Sequence, residues 1–342
     1  MNIQKATVFL FRPACRALML LILVQACSTA GAAEQLRRIR FVFDWPVADF
    51  SLVPIVVGQK MGFYQRNGLS VEVLLPPDAQ TTGRMLASAR ADIGFEPTTD
   101  VVFAANQGIP LVAIANFTQH NSWCLIGRPG ERIELAHLKG KSIGLFADSW
   151  SRAMLTFVLQ KANITERDVR LIIAQEDTLP LLLAGRIDIA TNAAAMGVAK
   201  VVETNKTQPT LACNEDIGVP NIPVWVFTAT SPWLTGNADA ARAWLKGTSD
   251  AIAWSLDHPQ EAAAMFTSVY PSAGTAGYNT TGWAYTARLM SGPDGYFRQS
   301  DRQWDELAGA LQRSGQIAQK KSAGVYYTNA FIPTWQPAAS AK

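Results

Sequence analysis

Histidine is scarce, and nothing is built from it. The chain holds three, His120, His137 and His258, at no spacing that metal ligation uses. It has no Gly-x-Ser-x-Gly elbow and no phosphate-binding glycine loop. These absences argue against a zinc enzyme, a serine hydrolase and a nucleotide-driven motor. Charge of one sign is also missing: the formal net charge is only +3 with acids and bases interspersed. No basic block suggests nucleic acid, and no acidic tail suggests disorder. Beyond the first thirty residues no apolar stretch is long enough to span a membrane.

What is there begins with those thirty residues. Lys5, Arg12 and Arg16 precede the apolar run Ala17–Val24, and small residues follow from Ala26 to Ala33. That order reads as a secretory signal peptide over 1–33, cleaved near Ala32 or Ala33. Val24-Gln-Ala-Cys27 also has the look of a lipoprotein signal, so a lipid anchor at Cys27 is an alternative end for the exported chain. After processing two cysteines stay, Cys124 and Cys213. In an oxidising compartment they form either a disulfide or two buried thiols, and spacing alone does not choose.

The rest, 342 residues in all, is long enough for about two domains. Arg40–Phe43 is strand-like and stops at Asp44-Trp45-Pro46, since proline cannot donate to a ladder. Helical spacing follows over Leu52–Lys60, then a C-cap glycine at Gly62 and a turn at Asn67-Gly68. Leu69–Leu75 reads as a strand, 81–89 as a helix, Ala91–Phe95 as a strand. Glu96 to Asp100 opens the next helix, capped by Thr98 or Thr99 and closed by Gly108. Leu111–Ala115 is a fourth strand. The pattern repeats with strands at Ser142–Phe146, Val169–Ile173 and Ile187–Ala190. Between them lie helices from Asp148 to Lys161, from Leu179 to Ala184 and from Ala193 to Glu203, the last opened by Thr191-Asn192. Ala89-Arg-Ala-Asp-Ile-Gly94 is echoed by Gly185-Arg-Ile-Asp-Ile-Ala190. Long helical patterns close the chain at 239–258, 259–270, 275–290 and 301–314. Alternation of this kind predicts an α/β class with two doubly wound sheets. The segments 116–124 and 218–227 cross between them. The expected lobes are 34–116 plus 228–342, discontinuous, and 117–227.

With these residues in place, the chain resembles a periplasmic solute-binding protein of an ABC importer. The resemblance is to the family of thiamine-pyrimidine-precursor binders and their nitrate, sulfonate and taurine relatives. It is carried by Phe43-Asp44-Trp45-Pro46; Gly62-Phe63-Tyr64 with Asn67–Val73; Ala91-Asp-Ile-Gly94; Gln107-Gly-Ile-Pro110; Leu138–Gly144; and Tyr327-Thr-Asn-Ala-Phe-Ile-Pro333. It implies a two-lobed, type II-like fold that closes on a small ligand. It also implies capture outside the inner membrane and delivery to a permease; the expectation beside it is a monomer with no cofactor or metal and no nucleic-acid partner. After Asp-Trp-Pro the family usually carries an Asn/Thr/His-rich turn. Here the turn is Val47-Ala48-Asp49-Phe50, which makes the cleft more acidic and more aromatic.

The candidate ligand residues follow from strand ends, where α/β folds bind. Asp44, Trp45, Asp49 and Phe50 leave the first strand, with Trp45 offered as a stacking platform. Glu96 and Thr98 follow the third strand. Asn116, Phe117 and Gln119 lie on the first crossover and Trp225 on the second. Ser149, Trp150 and Ser151 open a helix whose free N–H groups favour an anion or acceptor. Thr191 and Asn192 follow the next strand. Asp44, Asp49, Glu96 and Asp100 would repel an anion, so the reading favours a nitrogen-bearing aromatic such as an aminopyrimidine. A small anion held by helix N-termini is the alternative. A cofactor-dependent pyrimidine-synthesising enzyme is more remote, because the cysteine-rich segment of that branch has no counterpart here. A sensor role, in which the liganded chain docks on a receptor, is not separable by sequence.

Overall fold

The structure is a computed structural model that describes Met1 and residues 35–174, 177–290 and 296–334. The expected signal peptide, its expected cleavage site and Cys27 lie outside the described residues.

The first sheet begins with β1 (Arg37–Val42), β2 (Leu69–Leu74), β3 (Ile93–Pro97) and β4 (Leu111–Asn116), and gains β10 (Trp225–Thr230) from far along the chain. The second consists of β5 (Trp123–Gly127), β6 (Ser142–Phe146), β7 (Arg170–Ala174), β8 (Ile189–Ala193) and β9 (Thr210–Cys213). Strand orders are β2-β1-β3-β10-β4 and β7-β6-β8-β5-β9. The helices between them are α1 (Val53–Lys60), α2 (Thr82–Ala87), α3 (Thr98–Asn106), α4 (Ser149–Lys161), α5 (Leu179–Leu183) and α6 (Ala194–Asn205), followed by α7 (Ser231–Asp257), α8 (Pro259–Val269), α9 (Ala276–Ala287) and α10 (Asp301–Arg313).

Each sheet is mixed rather than wholly parallel. β1 runs parallel to β2 and β3, as β6 does to β7 and β8. The exceptions come where a crossover enters. β10 lies antiparallel between β3 and β4, and β5 antiparallel between β8 and β9. A chain arriving from the other sheet enters from the strands' carboxyl ends, so it must run against them. Cys124 and Cys213 face each other on β5 and β9 with Cα atoms 4.4 Å apart and are joined as a disulfide. Closing that long loop stabilises the chain by about 2–4 kcal/mol.

The local signals act as their chemistry dictates. Gly62, Gly68 and Gly108 all adopt positive φ at the expected turns. Tyr64 is fully buried between α1 and α7, its hydroxyl 2.9 Å from Thr248 Oγ1. Several boundaries differ from expectation. β3 runs on to Pro97, which takes the N-cap position of α3 without a side-chain cap, while Thr98 Oγ1 donates to the Pro223 carbonyl and neither threonine caps. β8 runs on to Ala193, so Thr191 and Asn192 are strand residues rather than a helix-opening turn. α7 starts at Ser231, eight residues early, with a kink at Asn237 where φ is −137°. Helix α9 packs on α6 as well as on α8 and the 50–52 turn, so it touches both sheets' helices.

Candidate functional site

The opening strand ends at Val42, and the chain then turns across the carboxyl edge of the first sheet. Phe43 is still anchored: its N–H donates to Leu74 O at 2.9 Å, and its carbonyl accepts from Thr82 Oγ1 at 2.8 Å. The next residues fold inward. Asp44 is 3 % exposed and Asp49 is 6 % exposed, while Val47 at the tip stays in solvent. Asp49 caps the 3-10 turn Phe50–Leu52 by accepting from the Ser51 N–H at 2.6 Å. Phe50 is held by α9, where Gly282 leaves room for its ring: a Cβ there would come within 2.1 Å of it.

From the second sheet, Asp148 follows β6 at the position Asp44 holds after β1. It caps α4, accepting from Ser151 N at 2.5 Å and Ser151 Oγ at 2.9 Å. The N-terminal N–H groups expected to be free for an anion thus face a resident carboxylate. Asn192 on β8 donates to Asp177 at 3.2 Å.

Between these walls is a cavity of about 300 Å³. Of the residues expected at the site, Asp44, Trp45, Asp49, Phe50, Phe117, Trp150, Ser151, Asn192 and Trp225 line it. Glu96, Thr98, Asn116, Ser149 and Thr191 do not, and each has an internal partner. Glu96, within β3, accepts from Thr228 Oγ1 at 2.7 Å. Asn116 exchanges hydrogen bonds of 3.0 and 2.8 Å with Gln303. Ser149 donates to Asp100 across the two sheets. Thr191 donates to Gly144 O at 2.9 Å, because alternate strand residues face opposite ways and Asn192 has the cavity side. Lining residues not foreseen include Asp148, Asp177, Met196 and Tyr278. Asp148 was legible only as a helix cap. Tyr278 sits on a helix whose inward face depends on tertiary packing.

The aromatic wall is continuous. Trp225 stacks on Phe95 at 5.2 Å and 11°, and its ring centroid lies 5.1 Å from that of Trp45 and 5.0 Å from that of Trp150. Three indoles, from just past the end of β1, the first turn of α4 and the second crossover, therefore meet. Its ionisable groups are the carboxyls of Asp44, Asp49, Asp148 and Asp177 and the Tyr278 phenol, and among the described residues no Lys, Arg or His lines the cavity. Burial first, then the charges of Asp100, Glu96, Asp148 and Asp49, push Asp44 well above the carboxylate range. Burial raises Asp49 to about 7 against the lowering influence of Ser51 and the nearby Trp45 indole. Just behind, burial and the Asp100 charge raise Glu96 to about 8. Asp148, partly covered by surface area but enclosed by its neighbours, is raised to about 6. Asp44 Oδ1, Asp49 Oδ2 and Thr118 Oγ1 are buried with no hydrogen-bond partner. Among the described residues no three His, Cys, Asp or Glu side chains converge as metal ligands, and no helix is long and apolar enough to cross a membrane.

A protein-family model described as NMT1/THI5 like matches residues 49–262. The chain belongs to the NMT1/THI5-like family. Its relatives include a Haemophilus influenzae protein named for thiamine biosynthesis, 24% identical over 82% of this chain and 88% of that one. A Candida albicans 4-amino-5-hydroxymethyl-2-methylpyrimidine phosphate synthase is 20% identical over 69% of this chain and 72% of its own. The fold matches the Escherichia coli periplasmic aliphatic sulphonate-binding protein SsuA with a TM-score of 0.64, at 12% identity over 88% of this chain and 93% of that one. Structural neighbours of this NMT1/THI5-like chain include periplasmic sulfonate- and nitrate-binding proteins, so the architecture is the periplasmic-binding-protein fold.

Proposed function

We propose that this chain is the extracytoplasmic solute-binding component of an ABC importer. It captures a small nitrogen-bearing aromatic, such as a thiamine pyrimidine precursor, between lobes spanning 34–116 with 228–342 and 117–227. The observation that carries the reading is the pairing of three converging indoles with buried carboxylate oxygens that lack partners in the protein. Aromatic faces hold a flat ring, and an acceptor without a donor costs free energy until an amino group supplies one. The thiamine-related name of the Haemophilus relative agrees with this chemistry. Among the described residues the lining offers an anion no cation to pair with, only the carboxyl groups of Asp44, Asp49, Asp148 and Asp177, so the sulfonate and nitrate alternative is disfavoured. The name of the Candida relative favours a second reading, a pyrimidine-synthesising enzyme. Among the described residues the cavity wall offers neither histidine nor cysteine nor lysine to do such chemistry, and binding is the simpler account.

The test is a thermal-shift screen of the purified chain against aminopyrimidines, aromatic acids, nitrate, sulfonates and taurine. A ligand that binds only the folded state raises the melting temperature by mass action. The aminopyrimidine is expected to raise it, and a rise with an anion alone would overturn the reading.

A further inference from the structure

The cavity carries more information about charge than about shape. Its acids come from both sheets: Asp44 and Asp49 from the loop after β1, Asp148 from the start of α4, and Asp177 at the mouth. Asp100 and Glu96 stand directly behind Asp44, close enough to raise its pKa. Against them the lining sets no basic side chain among the described residues, where its other titratable group is the Tyr278 phenol. A cluster of acids can be a solvated surface feature, but this one is not. Asp44 and Asp49 are more than nine-tenths buried, and each has an oxygen without a hydrogen-bond partner. Nor is the cluster a metal shell, since no three of its members converge as ligands among the described residues. What it adjoins instead is the indole trio of Trp45, Trp150 and Trp225, with ring centroids 5.0–5.1 Å apart in sequence around Trp225. Indole faces attract a nitrogen-borne positive charge.

We propose that the cavity selects an organic cation, its charge lodged between the first-sheet carboxylates and Asp148 and its ring against the indoles, over neutral or anionic molecules of the same shape. This rests on the binding-protein reading above and narrows it to a charge state. An aminopyrimidine protonated on a ring nitrogen is such a cation, because the proton turns its N–C–N unit into an amidinium. Two donors of an amidinium fit carboxylate oxygens as a guanidinium does, and the cation supplies the charge that the acids otherwise lack.

Three probes of one shape separate charge from fit: benzamidine, cationic at pH 8, its neutral isostere benzamide, and benzoate. Isothermal titration is expected to give benzamidine at least about tenfold tighter binding than benzamide, a difference of about 1.4 kcal/mol, with benzoate weakest. Asp44→Asn should lower benzamidine affinity about tenfold and leave benzamide within about threefold. Asp148→Asn, which keeps a helix-capping side chain, should shift the ratio in the same direction. Equal binding of amidine and amide, preference for benzoate, failure of all three at millimolar concentration, or a ratio unmoved in both variants would overturn the proposal. If benzamidine is preferred but 4-amino-5-hydroxymethyl-2-methylpyrimidine does not bind, the charge assignment stands and the pyrimidine reading falls.

Discussion

The amino and carboxyl edges of the sheets treat their carboxylates in opposite ways. At the amino ends, Asp92 enters β3 and Asp188 enters β8, at matching positions of the internal echo. Both are fully engaged. Asp92 accepts from the Arg40 backbone at 2.8 Å and pairs with its guanidinium at 2.7 Å. Asp188 accepts from Ser142 N at 2.8 Å and Ser142 Oγ at 2.6 Å, and these bonds hold its pKa below the usual range. At the carboxyl ends, Asp44 and Asp49 are at least as buried, carry unpartnered oxygens and have raised pKa values. Residue type is the same throughout; the partner makes the difference. Acids that tie neighbouring strands together serve the fold. Acids left unmatched beside an aromatic wall cost stability, which ligand binding recovers if the proposed function holds.

The largest effect expected from breaking this arrangement is on affinity. Trp45→Ala removes one face of the indole trio and should weaken aminopyrimidine binding by about tenfold to a hundredfold, about 1.4–2.7 kcal/mol, with the fold intact. Titration calorimetry with circular dichroism checks both halves. Next is pH. Asp49 holds its proton in the folded state up to about 7 and in the unfolded chain only to 3.8. Its contribution is therefore fully present below about 4 and is lost as pH rises toward 7, at up to roughly 1.4 kcal/mol per pH unit. Denaturant melts of the unliganded chain should show stability falling across that window, with a shallower fall in Asp49→Asn. Asp188 has the opposite sign: its lowered pKa gives stability that is kept at neutral pH and lost in acid. The smallest effect sharpens the echo itself. Ala89 and Gly185 occupy the same turn, with φ of 54° and 69°. Ala89→Gly should relieve left-handed strain and stabilise by about 0.5–1 kcal/mol, read as a rise in the denaturation midpoint.

Much of this was legible in the chain. Strand and helix alternate with clear periods, and Gly62, Gly68 and Gly108 mark the stops. The Asp-Trp-Pro break lies on the cavity because a proline after a strand forces the turn at a carboxyl edge. What sequence could not show was how far β3 and β8 run past their apolar cores. Two more residues in β3 and three in β8 draw Glu96 and Thr191 into the sheets and change which side chains face the cavity. Strand direction was also hidden, since β10 and β5 look like any strand until their partners are known. Asp148 announces a helix start, and nothing local says that the helix opens onto a cavity shared with Asp44. Tyr278 and Met196 reach the wall only through the packing of α9 on α6.

The most direct measurement is the unfolding free energy of the unliganded chain at pH 8 for Asp44→Asn beside Asp92→Asn. If the carboxyl-end acids serve a ligand and the amino-end acids serve the fold, Asp44→Asn is as stable as the parent or more so. Asp92→Asn, which strands Arg40, is then less stable by about 1–3 kcal/mol. A loss of that size in Asp44→Asn, with Asp92→Asn unchanged, would contradict the account.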